Sequence, residues 1–220
     1  MKRRESPPPS YDRDISALFS LLSLILFATL AIAILFHGEP FLFWQHAFSD
    51  LGNIKTLGGQ PNATSRLTFS VGMIVQSAIM LRISACYAGN ETLWHHTVKR
   101  WLALLGAIGF VVSIYPNDIN HLVHSVGVGI VIGVVYLFTM IFHCELKPVT
   151  SPWLFYGDLV IIQVSVFSYA IAFFADWELK QSLQKTCVMG VFFTLQRIIT
   201  AAEESFHLSE VITFLQRFGH

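Results

Sequence analysis

Residues 15–36 form a run of 22 side chains without a single charge. At about 1.5 Å of rise per residue, a helix of that length crosses a hydrocarbon core about 30 Å thick. Lipid offers no partner for a backbone N–H or C=O, so a segment buried there must satisfy its own hydrogen bonds as a helix. Further apolar runs follow at 66–87, 98–115, 119–142, 153–175 and 183–202. The pattern predicts an all-α polytopic membrane protein, a bundle of six transmembrane helices. Composition agrees. Only 13% of the residues are charged, against about 25% in soluble domains. The net charge of zero and the absence of a basic block argue against a nucleic-acid partner.

The first run also contains Ala31, Ile32 and Ala33, which resemble a signal-peptide cleavage site. Its apolar stretch exceeds the roughly 7–15 residues of a signal peptide, so a retained span is expected. Residues 1–14 are charged and proline-rich, and read as a disordered cytoplasmic tail. Residues 15–205 form the six-helix domain. Residues 206–220 read as a short amphipathic tail, with Phe206, Val211, Phe214, Leu215 and Phe218 at helical spacing. Cys86, Cys144 and Cys187 are too scattered for a metal or redox motif.

Six spans put Lys2, Arg3, Arg4, Arg13, Arg82, Lys99, Arg100, Lys147 and Arg217 on one side, and Lys55, Arg66, Lys180 and Lys185 on the other. The excess of positive charge marks the cytoplasmic side. Both termini are therefore expected in the cytoplasm, with the protein integral to the plasma (inner) membrane. The 37–64 loop, the turn near Asp118 and the 176–182 loop then share the outer side.

The most informative stretch is 115–133, YPNDINHLVHSVGVGIVIG. Asp118, His121 and Ser125 follow one another at spacings of three and four, which places them on one face of a helix. Ser125, Gly129 and Gly133 continue that face as a ridge of small residues, suited to close helix–helix packing or a homo-oligomer. Asp118 reads in two ways: as a cap at the positive end of the helix, or as part of an outward polar site with His121 and His124. The 37–64 loop supplies His46, Ser49 and Asp50 to such a site. It is long and aromatic (Phe41, Phe43, Trp44, Phe48), which favours folding back over the bundle as a lid. Asn62–Ala63–Thr64 is also a glycosylation sequon.

Carboxylates and imidazoles together are the ligand types of a zinc site that activates water. Asp50, Asp118, His121 and His124 are thus the candidate catalytic residues, although the D-x-x-H-x-x-H spacing matches no established metal motif and no metal or cofactor is assigned. Haem would need facing histidines at one depth; His143 with His207, or His46 with His121, are the available pairs. Deeper in the membrane, Asp158 and Arg197 each stand roughly 8–9 Å from the cytoplasmic ends of the fifth and sixth spans. Antiparallel neighbours would bring them level as a structural ion pair, shared with Gln163 or Gln196.

The motifs Ser49-Asp50-Leu51-Gly52, Pro61-Asn62 and Tyr115-Pro116-Asn117-Asp118 with the following histidine-bearing helix carry a resemblance. The chain resembles, over about residues 15–205, the prokaryotic six-helix membrane family catalogued as domain of unknown function 998. Tyr115 stands where that family usually has phenylalanine. The resemblance implies the six-helix architecture and marks Ser49, Asp50, Asn62, Asp118 and His121 as family positions; it implies no activity. A more distant similarity is to membrane hydrolases that include alkaline ceramidases, with Ser, Asp and His around zinc. Three functional expectations are open. One is binding of a membrane lipid or small amphiphile through Ser49, Asp50, Asp118 and His121. The second is a metal-dependent lipid hydrolase, and the third is haem-mediated electron transfer.

Overall fold

A computed structural model of the chain describes residues 12–146 and 151–218. Most of the expected disordered tail, and the side chains of the expected amphipathic tail at 206–220, lie outside the described residues. The fold is all-helical: α1 (Arg13–Leu35), α2 (Ala63–Gly89), α3 (His96–Val112), α4 (His121–Leu146), α5 (Pro152–Phe174) and α6 (Lys180–Phe218). A short 3-10 helix, Phe48–Gly52, interrupts the first connection. The helix starts follow local chemistry. Asp12 Oδ1 accepts the N–H groups of Asp14 and Ile15 at 3.0 and 3.1 Å, which begins α1 just ahead of the uncharged run. Ser151 caps α5 and Pro152 opens it, a position where the missing N–H has no helical partner to lose. The backbone of α6 continues through the tail as one helix.

Four of these helices, α1, α2, α4 and α5, are long and apolar enough to cross a membrane. α3 is shorter, at 17 residues, and α6 carries Lys185 and Arg197 within its apolar part. The surface agrees with lipid as the solvent. Leu24, Leu67, Ile74, Leu105, Val164 and Phe193 all face outward, an apolar exterior that a water-soluble fold avoids. Tryptophans mark both ends: Trp44 and Trp177 at one, Trp101 and the 90% exposed Trp153 at the other. The chain is an integral, multi-pass membrane protein.

α2 packs between α1 and α3, α3 on α4, α5 on α6, and α6 returns to α4 and α1. Small residues set the closest approaches. A Cβ on Gly72 would lie 2.2 Å from Thr29, and one on Gly127 2.4 Å from the Ser113 backbone nitrogen. The expected ridge behaves differently: nothing lies within 4 Å of a Cβ built on Gly129 or Gly133, and α4 barely touches α5. Polar side chains stitch the helices where lipid supplies no partner. The Gln196 amide donates to the Phe19 carbonyl and to Ser23, tying α6 to α1. Arg197 of α6 pairs with the buried Asp158 of α5 through its guanidinium, as their depths in the two spans suggest. The pair joins two charges that would be expensive to leave alone in the membrane.

Candidate functional site

The three connections at one end of the bundle meet, and the first of them is an ordered lid. Its centre is the Phe48–Gly52 turn. Asp50 accepts the Ala47 N–H at 2.7 Å and the Asn53 amide at 3.3 Å. Burial pushes the Asp50 carboxyl above the ordinary aspartate range, against the opposing pull of the Ala47 N–H and of His46, His37 and Lys185. Asn62 clamps both ends of the loop. Its amide nitrogen reaches the carbonyls of Asp50, Leu51 and Asn53, and its oxygen accepts the Gly38 N–H. With only 1% of Asn62 exposed, the sequon is closed to a glycan and the side chain is structural. Gly52 admits the Phe69 ring, which would stand 2.9 Å from a Cβ.

Asp118 secures the lid to the turn between α3 and α4. Its carboxylate accepts the Ile54 N–H at 3.0 Å and the Lys55 N–H at 3.1 Å, and its own N–H donates to Asn53. It is therefore not the helix cap that its position suggested. Asn120 takes that role, accepting the Val123 N–H at 3.2 Å, and α4 starts only at His121. On the far side of the lid, the Phe48 N–H donates to Gln184 and Ser182 donates to the Trp44 carbonyl, both on α6.

Beneath the lid lies a cavity with about 70 Å³ of room for the centre of a water-sized sphere. On that measure a single water needs about 10–15 Å³. Leu26, Met73, Phe110, Val131 and Phe192 give it apolar walls drawn from five helices. Polar groups enter at the lid end only: Ser49, Ser113, His124 and Gln184. His124 is 2% exposed. Its Nδ1 lies 2.9 Å from the Tyr115 carbonyl, while its Nε2 is buried without a hydrogen-bond partner among the described residues.

The structure thus divides the residues that the sequence grouped together. Ser49 and His124 meet at the cavity, and Asp50 sits in the lid beside Ser49. Asp118 is engaged by loop amides. His121 turns the other way, to Asn117 at 2.6 Å, to Ser125, and to a stacked Phe173. The single helical face expected for Asp118, His121 and Ser125 holds for the last two alone, because Asp118 precedes the helix. No group of three or more His, Cys, Asp or Glu side chains among the described residues is placed to hold a metal ion. Of the histidines paired for haem, His46 and His121 each have other partners. His46 accepts the Leu42 N–H and approaches Glu39, His143 stacks on Phe155 at 3.9 Å, and the His207 side chain lies outside the described residues.

Sequence reasoning missed Gln184 and Lys185. Both looked like the polar start of a span, yet Gln184 ties the lid to the cavity rim. Lys185, 1% exposed, donates to the Gln181 carbonyl beneath the rings of Phe43 and Phe48. It also missed a cluster at the opposite end, where Lys99 pairs with Glu145 at 2.7 Å and Glu145 also meets His95. In the sequence Lys99 counts only toward the charge of the cytoplasmic side; its place on the inner face of α3 shows only once α4 is packed beside it.

With the geometry in place, comparison with known proteins adds no relative. No family model, curated protein or solved structure matches this chain.

Proposed function

We propose that this protein binds a lipid or small amphiphile in the cavity beneath the first loop. The observation that carries this reading is the cavity's polarity: apolar walls along the bundle and polar side chains at the lid end alone. Apolar cavities stay dry and accept apolar guests, whereas a buried, unpaired polar atom calls for a hydrogen-bonding partner. An amphiphile meets both demands at once. Ser49 and His124 contact the guest, Gln184 holds the rim, and Asp50 and Asp118 act indirectly by shaping and fastening the lid. His121 is displaced from the ligand-binding set by its own partners.

The excess of Lys and Arg that the sequence assigns to the side of both termini supports an orientation with those termini in the cytoplasm and the lid outward, in the plasma membrane. The cavity would then be reached from the outer leaflet or the outer solution. Binding is tested on protein reconstituted in vesicles, by following its thermal midpoint as a long-chain alcohol or acylglycerol is added. The expected result is a rise in the midpoint for the wild type, as mass action requires of a ligand that prefers the folded state. Val128→Phe, which fills the cavity, should abolish the rise. An equal rise in the filled variant would refer the effect to the bilayer and overturn the reading.

A further inference from the structure

The polar end of the cavity has a definite hydrogen-bonding sense, and this sense narrows the ligand; the inference rests on the binding role proposed above. The Tyr115 carbonyl oxygen accepts only, so His124 Nδ1 must carry the proton and donate to it at 2.9 Å. No carboxylate pairs with His124 among the described residues. An unpaired imidazolium would be costly to bury there. The ring is therefore neutral, and Nε2 presents a bare lone pair.

Among the described residues, none of the surrounding side chains donates to that acceptor. Ser113 donates its hydroxyl proton to the Phe110 carbonyl. Gln184 accepts from the Phe48 N–H and turns its amide to Tyr169. The nearby cation, Lys185, donates to Gln181 and lies under two aromatic rings, and does not line the cavity. A carboxylate or phosphate head would bring acceptor oxygens against a lone pair, with no cation among the described residues lining the cavity to offset its charge. A neutral O–H would donate to Nε2 and satisfy it, with Ser49 able to give or take a second hydrogen bond.

We propose that the cavity selects a neutral amphiphile with a hydroxyl head, its O–H donating to His124 Nε2 and its hydrocarbon lying along Met73, Phe110, Val131 and Phe192. Fatty alcohols and acylglycerols share this chemistry, and free or membrane-resident sources are equally suitable.

The test uses full-length protein in phosphatidylcholine vesicles, a photoreactive long-chain alcohol, the matching carboxylic acid at a pH where it is ionised, and mass spectrometry to map the crosslinks. Cavity residues of α3 and α4 should be labelled by the alcohol about tenfold more than by the carboxylate, the discrimination of one buried hydrogen bond. His124→Phe should erase the preference. His124→Gln, which restores an acceptor and guards against a folding artefact, should recover part of it. Equal or stronger labelling by the carboxylate would overturn the hydroxyl selectivity while leaving cavity binding intact. Labelling of cavity residues by neither probe would overturn both.

Discussion

Asp118 accepts two consecutive backbone amides, so one side chain joins the first loop to the turn before α4. Replacing it by Ala leaves the Ile54 and Lys55 N–H groups to water at an exposed edge. Hydrogen exchange at those two amides should quicken about tenfold, equivalent to roughly 1.4 kcal/mol, for surface hydrogen bonds to a side-chain acceptor. Exchange in the α2 core should be unchanged. If Asp118 worked as a helix cap instead, the acceleration would appear in the first turn of α4. From the sequence, Asp118 is a competent cap, and its spacing cannot say that the backbone selects Asn120 instead. The choice depends on the loop sixty-odd residues earlier, whose amides arrive beside Asp118 only in the folded chain. Asn62 has the same history: a sequon by its neighbours, a buried clamp by its contacts.

At the scale of the helices, the glycines separate into those that set spacing and those that do not. Gly127 lies against the backbone of Ser113, where a methyl group has no side chain to push aside. Gly127→Ala should destabilise the fold by about 1–3 kcal/mol, the usual cost of overpacking. Gly129→Ala and Gly133→Ala meet open space and should be neutral or stabilising by up to about 1 kcal/mol from helix propensity. Thermal or denaturant unfolding in detergent measures all three. A loss of stability in the last two that depends on protein concentration would instead make Ser125, Gly129 and Gly133 a contact between copies. The three-and-four spacing of small residues was legible in the sequence, but the identity of the packed ridge was not. α4 presents small residues on more than one face, and the position of α3 decides that Gly127 is covered.

For the whole molecule, the all-helical plan and the membrane were legible because both follow from long uncharged runs, a property of the chain alone. The Asp158–Arg197 pair was legible for a related reason: depth in a span is simple arithmetic. The cavity was not, since its lining comes from five helices and the lid, and its key atom, His124 Nε2, is defined by what it fails to touch. His124 and His121 are three residues apart and chemically alike, yet one faces the bundle interior and the other the gap toward α5. The most direct test of the amphiphile site is mass spectrometry of the intact protein released gently from detergent micelles. The wild type should retain a discrete small amphiphile that Val128→Phe loses, with both proteins folded by circular dichroism. An identical spectrum for the two, whether the adduct is present on both or absent from both, would contradict a ligand in this cavity.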